Sequence, residues 1–327
     1  MKAVLLEKNG GPEVLTIKEI DEPTTTEGSV KIRIKAFGIN RIELFQRQGI
    51  IGTLQSPVTP GIEAAGEVTE DRSGKFQIGQ KVITVMGGMG FSRQGSYAEY
   101  IVSPADNTLA IPGNISFEEL AAIPETFGTI SVALEKDLKI KAGETLLIRG
   151  GTTATGIAAL LYAKIKGLRV ITTTRNENKV AKLRRLGADY VIVDNGEIAA
   201  RVREIIAGGA DKALEIIGVS VLSDTILSVK AFGEVAMIGI LGGAPVLKNF
   251  DMMTQSGDNV KLSFTKSGLL GTKYYPLSDT PLQLIASNIA SGKMPSIKSS
   301  TFAFHEIAAA HALMEKNKAD GKIVITL

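Results

Sequence analysis

Thr145-Leu146-Leu147-Ile148-Arg149-Gly150-Gly151-Thr152-Thr153-Ala154-Thr155-Gly156-Ile157-Ala158-Ala159-Leu160 runs a strand-type segment straight into a glycine-bracketed turn and an apolar helix start. That strand, turn and helix context gives a dinucleotide fingerprint its meaning. Such a turn brings backbone N–H groups and the positive end of a helix to a pyrophosphate, and Gly156 lets helix and strand pack closely. The expected contacts are therefore Gly150, Gly151, Thr152, Thr153, Ala154, Thr155 and Gly156. Thr153 stands where the middle glycine of G-x-x-G-x-x-G would permit the closest backbone approach, and its hydroxyl offers a phosphate ligand instead. The plainer alternative is a glycine-rich turn that binds nothing.

Working outward, the same grammar repeats: Arg169 to Thr173 then Glu177 to Leu186, Tyr190 to Val193 then Ile198 to Ala207, Lys212 to Ile216 then Val221 to Lys230. Glu234 to Ile238 and Val260 to Thr265 close the series. Strand and helix in alternation call for a parallel sheet covered on both faces, here a doubly wound one. In the second helix Val180, Leu183 and Leu186 form an apolar stripe, Lys179, Lys182, Arg184 and Arg185 face water, and Gly187 ends it.

The second strand ends Thr172-Thr173-Thr174-Arg175-Asn176, with no acid before Glu177. Enzymes selective for NAD keep a carboxylate near here, roughly 20 residues beyond the glycines, for the ribose hydroxyls. A carboxylate would repel a 2′-phosphate, whereas hydroxyls such as that of Thr174, with Arg175 and Lys179, would bind one through charge-assisted bonds. NADPH is the cofactor expected. The alternative for Arg175 and Lys179 is a solvated helix start. The missing acid also argues against an S-adenosylmethionine methyltransferase.

Up to about Pro112 the pattern is different: short β-type runs at Ala3 to Leu6, Val14 to Ile20, Val30 to Ala36, Gly66 to Glu70, Lys81 to Val85 and Tyr97 to Val102. A helix is expected over Arg41 to Gln48, with the Asn40 side chain capping its first turn. Ser116-Phe117-Glu118-Glu119 is a capping-box pattern opening a helix that Pro124 interrupts. The tail holds helices near Pro281 to Ser291 and His305 to Lys316 and a strand Lys322 to Leu327. It has no place in the alternation and is expected to return to the N-terminal domain. The expected division is 1–121, a β-rich domain; 122–265, the nucleotide domain; and 266–327, the return.

Composition limits the chemistry. The 327 residues exceed a single core's usual size, and 44% hydrophobic with 22% charged content is globular. Lys and Arg outnumber Asp and Glu by only 37 to 34, without like-charge runs, so nucleic-acid binding gains no support. The N-terminal apolar stretch is too short for a secretory core, and the longest apolar run, Val235 to Leu247, is broken by glycines and a proline. A soluble, cytoplasmic protein without a membrane role is expected. The chain has no cysteine, which excludes disulfides, thiolate nucleophiles and cysteine-based metal sites. Its two histidines, His305 and His311, lie six apart on one expected helix and so on different faces. Both are read as structural or surface residues, and no metal ligand is assigned.

In order along the chain, Gly38-Ile39-Asn40, Pro60-Gly61-Ile62-Glu63-Ala64-Ala65-Gly66, Gly95-Ser96-Tyr97-Ala98-Glu99-Tyr100, Gly128-Thr129, Leu186-Gly187-Ala188-Asp189 and Gly321-Lys322-Ile323-Val324 resemble motifs of the medium-chain dehydrogenase/reductase superfamily, zinc-free quinone oxidoreductase branch. Ile62 occupies the position where zinc members place a histidine ligand. The resemblance implies a Rossmann domain inserted in a β-rich, chaperonin-10-like catalytic domain, a cleft between them and a homodimer joined through the last Rossmann strand. It also implies Asn40 beside the nicotinamide, Thr129 near its ribose, and Gly239, Ile240 and Leu241 against its carboxamide. The family's tyrosine after the asparagine is Phe45 here, which removes a tyrosine proton donor at that place, while Arg47 matches the family's arginine.

Hydride transfer asks little of side chains beyond positioning in a dry site. Asn40 can orient the nicotinamide or hydrogen-bond the acceptor's oxygen as negative charge develops. Phe45, Arg47, Met86, Met89, Phe91 and Tyr274 are the expected substrate contacts, although methionines and aromatics more often pack cores. The expected reaction is NADPH-dependent reduction of a quinone. Reduction of the double bond of 2-alkenals, enones or enoyl thioesters needs the same site, and a non-catalytic NADPH-binding protein is the third reading.

Overall fold

A computed structural model describes residues 1–51, 57–243 and 245–327. The chain divides into two compact units, one formed by Met1–Gly128 with Ser267–Leu327 and the other by Thr129–Lys266.

In the second unit the strands lie in the order Tyr190–Val193, Arg169–Thr174, Thr145–Arg149, Ala210–Glu215, Val229–Met237, Lys261–Phe264, and every neighbouring pair is parallel. The chain starts in the middle of this sheet, runs to one edge, then returns and runs to the other. Thr145–Arg149 and Ala210–Glu215, adjacent in space but far apart in sequence, flank the point where the order reverses. The central strand is buried along its whole length, as a strand covered on both faces must be. Leu147, Ile171, Val202, Leu222, Ile226 and Val235 form one of its cores. Each such side chain contributes about 1.5–3 kcal/mol by leaving water.

The first unit is built on a largely antiparallel sheet ordered Lys298–Ala303, Lys322–Thr326, Ser29–Gly38, Glu63–Asp71, Lys81–Val85, Thr108–Ala110, with Tyr100–Pro104 also on Ser29–Gly38. Only its first pair is parallel. Val30, Ile32, Ile34 and Phe37 of the long strand pack with Ile323, Ile325, Ile307 and Met314, so the C-terminal residues complete the N-terminal core. Phe37 stacks on Tyr97 with ring centroids 4.6 Å apart.

Three expectations change. The helix expected over Val221 to Lys230 ends at Leu227, because Val229 and Lys230 already belong to the strand Val229–Met237. Pro124 does not simply interrupt a helix: it opens the next one, Pro124–Ser131, where its missing N–H would have no intrahelical acceptor in any case. Lys298–Ala303 is a strand that the sequence did not announce. No helix among the described residues is long and apolar enough to cross a membrane.

Candidate functional site

At the carboxyl end of the central strand, Gly150 has φ +100°, a conformation that favours glycine. Its N–H donates to Thr173 Oγ1 at 3.1 Å, and the Gly151 N–H donates to Thr173 O at 3.0 Å. A Cβ on Gly156 would lie 2.3 Å from Gly150 O, so glycine alone lets the helix Ala154–Ile165 start this close to the strand. Thr153 is the N-cap. Its hydroxyl accepts from Gly156 N at 2.9 Å and donates to Gly150 O at 2.9 Å. Its proton is therefore committed inside the turn, which corrects the expectation that this hydroxyl reaches a phosphate. What the turn does present is backbone: the N–H groups of Thr152, Ala154 and Thr155 have no acceptor among the described residues and are half-buried at a helix N-terminus. Three such donors at the positive end of a helix fit an anionic pyrophosphate.

Beside this turn lie the ends of the next two strands. A Cβ on Gly150 would come 3.2 Å from Ile216 Cβ, and one on Gly239 would lie 1.7 Å from Ile216 O. Gly242 N–H donates to Ile217 O at 2.7 Å. Gly239 and Ile240 are half-buried and Leu241 is exposed, so this stretch offers backbone edge and one apolar side chain.

The threonines of the second strand turn inward. Thr172 Oγ1 donates to Ile148 O at 3.1 Å, and Thr174, 3% exposed, bonds the backbone of Asn176 through its hydroxyl. Thr174 thus shapes the turn, and the basic groups stand outside it. Arg175 is exposed and makes no hydrogen bond or ion pair among the described residues, and Lys179 is half-buried. Thr129 is half-buried within the helix Pro124–Ser131.

Beneath the turn is a feature the sequence reading missed. Arg149 is fully buried, forms a bidentate pair with Asp194 at 2.9 and 3.0 Å, and reaches Asp224 at 2.8 Å, Thr225 Oγ1 at 3.0 Å and the carbonyls of Val221 and Gly196. Burial opposes its charge, but Asp194, Glu215 and Asp224 outweigh burial and raise its pKa. Glu215 is itself buried, accepts the N–H groups of Ile217 and Gly218, and has its pKa raised mainly by burial. One guanidinium thus ties together the ends of three strands and a helix start. An arginine closing an apolar strand was the available signal, because a charge at such a place needs partners.

The first unit brings three of the quoted motifs together. Asn40 Nδ2 donates to Glu63 Oε1 at 2.8 Å, Lys322 Nζ donates to Asn40 Oδ1 at 2.5 Å, and Lys322 Nζ lies 2.6 Å from Glu63 Oε1. The expected side-chain cap is therefore not made. The helix Arg41–Gln48 is closed instead by Glu43, whose carboxylate accepts the Asn40 backbone N–H. Glu63 and Lys322 sat unread within the motifs that carried the resemblance; each is a buried charge that opens its strand.

Glu43 is buried, accepts Ile62 N–H at 3.1 Å and meets Tyr97 OH at 3.1 Å; Tyr97 OH in turn lies 2.9 Å from His311 Nε2. Burial pushes the Glu43 carboxyl up to about 8, with Glu63 adding to the effect against the Asn40 N–H, Lys322 and Tyr97. Burial, reinforced by Arg47, pushes His311 down to about 3. Its Nδ1 has no hydrogen-bond partner among the described residues, and the depressed pKa leaves the imidazole neutral near pH 7. Between the ordinary value near 6.5 and 3, the unfolded chain binds the proton and the folded one does not. The stability contributed by the neutral ring is therefore present above about pH 6.5 and lost on acidification, by up to about 1.4 kcal/mol per pH unit. We expect the fall in unfolding free energy from pH 6.5 to 4 to be clearly shallower in His311→Gln than in the native protein. Parallel curves would contradict this. His305 is exposed, as a surface residue.

The expected substrate contacts scatter. Met89 is 1% exposed and belongs to the core, and Arg47 is fully buried, donating to Gly10 O and pairing with Glu315 at 3.2 Å. Burial counts against both as substrate contacts, although Arg47 Nε and Nη2 have no hydrogen-bond partner among the described residues. Met86, at φ +60°, and Phe45 are half-buried, while Phe91 and Tyr274 are exposed. Among the described residues no group of three potential metal ligands comes together.

Residues 26–113 match the family described as the alcohol dehydrogenase GroES-like domain, and residues 154–276 match the zinc-binding dehydrogenase family. Quinone oxidoreductase 1 of Escherichia coli K12 is 29% identical over 97% of this chain and 97% of its own length. A 2-haloacrylate reductase of Burkholderia is 26% identical over 99% and 98%. The crystal structure of a quinone oxidoreductase from Pseudomonas syringae pv. Tomato superposes with a TM-score of 0.87, at 25% identity, over 100% of this chain and 99% of that one.

Proposed function

Because this chain belongs to the medium-chain dehydrogenase/reductase superfamily, in its quinone oxidoreductase-like branch, and is an oxidoreductase, we propose that it is an NADPH-dependent reductase of a quinone or related conjugated carbonyl that works without zinc. The observation that carries the nucleotide half of this reading is the row of unpartnered N–H groups at Thr152, Ala154 and Thr155 over a glycine-only helix start. A reduced nicotinamide, when bound, supplies the hydride. Gly150 to Gly156 hold the pyrophosphate, Arg175 and Lys179 take the 2′-phosphate, and Thr129 with Gly239, Ile240 and Leu241 receive the nicotinamide end. Asn40 steadies the acceptor oxygen as charge grows on it. Phe45 and Met86, both partly accessible, and the exposed Phe91 and Tyr274 are the remaining apolar contacts of the expected set.

The preference for NADPH is tested at Arg175. A charge-assisted bond contributes about 1.5–3 kcal/mol, or roughly 10–150-fold in affinity. Arg175→Ala should weaken NADPH binding by that factor and leave NADH within about twofold. Equal affinity of the native protein for the two nucleotides would sink the assignment. NADPH oxidation against matched quinones and 2-alkenals then separates the quinone reading from double-bond reduction, which the resemblance to a 2-haloacrylate reductase keeps in play.

We further propose a cytoplasmic homodimer joined through Lys261–Phe264. That strand ends the sheet, leaving backbone donors and acceptors along its outer side, and Leu262 and Phe264 are each about half exposed. Light scattering should give twice the mass of one chain, and Leu262→Lys should shift it to one. A monomeric native protein would refute the arrangement.

A further inference from the structure

Resting on the reading of Asn40 above, we infer that Lys322 and Glu63 are positioning residues that hold the Asn40 carboxamide in a single orientation, with one Nδ2 hydrogen directed away from the pair as a strengthened donor. Lys322 is 3% exposed and Glu63 fully buried, with Nζ and Oε1 2.6 Å apart. The ammonium also donates to Asn40 Oδ1 at 2.5 Å, and Asn40 Nδ2 donates to the same Glu63 oxygen at 2.8 Å. Turning the amide over would set its NH2 against the ammonium and its oxygen against the carboxylate. Both ends reject that, so the orientation is fixed by charge. Polarisation from the ammonium through the amide strengthens the N–H not given to Glu63. Among the described residues that hydrogen has only a distant internal acceptor, Glu43 Oε1 at 3.5 Å, and Asn40 is half-buried and so reachable.

Two further observations favour positioning over plain architecture. Taking both charges of a pair out of water is expensive, and such pairs are often replaced by apolar residues without loss of stability, so architecture alone does not ask for one here. The surroundings are also cleared for the pair. A Cβ on Gly38 would lie 2.4 Å from Glu63 Oε1 and 2.5 Å from Lys322 Cε, so the glycine two residues before Asn40 makes room for the ions that hold it. Glu63 is anchored from its other side by the Glu125 N–H at 2.7 Å.

The test compares Asn40→Ala, the charge-free pair Glu63→Gln/Lys322→Met, the triple variant and Lys322→Arg in the full-length protein. In nucleotide-free protein, NMR of the Asn40 side-chain amide, assigned by its loss in Asn40→Ala, should show two well-separated protons. In the charge-free pair these should exchange with water at least about tenfold faster. Turnover should fall by about tenfold or more in both Asn40→Ala and the charge-free pair, with no further loss in the triple variant, NADPH affinity within about twofold and partial recovery in Lys322→Arg. A charge-free pair with native amide exchange and turnover, in a protein where Asn40→Ala is still impaired, overturns the inference alone. Unchanged turnover in Asn40→Ala removes the reading of Asn40 and this inference with it. If the charge-free pair does not accumulate in folded form, Lys322→Gln, which keeps a donor and loses the charge, gives the same comparison.

Discussion

Arg149→Met should lower the free energy of unfolding by about 3–5 kcal/mol, measured by urea unfolding of the whole chain at neutral pH. The methionine fills much of the same volume, so the loss is not one of packing. It leaves Asp194, Asp224 and the buried Glu215 facing each other without their cation. At present Arg149 and the Gly196 N–H hold the Asp194 carboxyl below its usual range although burial pushes the other way. Without the guanidinium that carboxyl titrates upward. A group whose folded pKa is raised loses its stabilising proton as pH rises, so the variant should be less impaired at pH 5 than at pH 8. A deficit below about 1 kcal/mol, or one independent of pH, would show that the network is not held by this charge.

Gly156→Ala should abolish measurable NADPH binding, weakening it by at least about 100-fold. Its Cβ falls 2.3 Å from Gly150 O and 2.7 Å from Gly151 Cα, both backbone atoms that cannot rotate aside. Opening the turn to relieve this costs about 1–3 kcal/mol as overpacking and misaims the N–H groups of Ala154 and Thr155, each worth about 1.5–3 kcal/mol to a charged ligand. Thr155→Ala is the matched control: it removes a side chain from the same turn while keeping the donor, and should stay within about threefold of the native affinity. Similar losses in the two variants would mean that the nucleotide is held elsewhere.

The alternation of strand and helix was legible because a strand buried on both faces must be apolar over most of its length, as Thr145–Arg149 is, and the edge strand Tyr190–Val193 shows the expected bounds although its ends are exposed. The helix Arg41–Gln48 was legible from the residues around it, although the group closing it is Glu43 and not the Asn40 side chain. Lys298–Ala303 escaped notice because it is an edge strand, with lysine and hydroxyl residues half in water and little apolar alternation to read. At the site, residues could be assigned to a turn or a motif, but which way a hydroxyl points depends on its competitors. Thr153, Thr172 and Thr174 each found a backbone partner within the fold, and no count of threonines foretells that. The pairing of positions 40, 63 and 322 is likewise a product of the sheet, which sets Ser29–Gly38 between Glu63–Asp71 and Lys322–Thr326.

Since the Thr153 hydroxyl is occupied in holding its own helix, the grip proposed for a nucleotide at this turn would rest chiefly on main-chain N–H groups. Main-chain donors survive almost any change of side chain. Positions 152, 154 and 155 should therefore drift freely in a randomised library selected for nucleotide retention, while 150 and 156 return glycine every time.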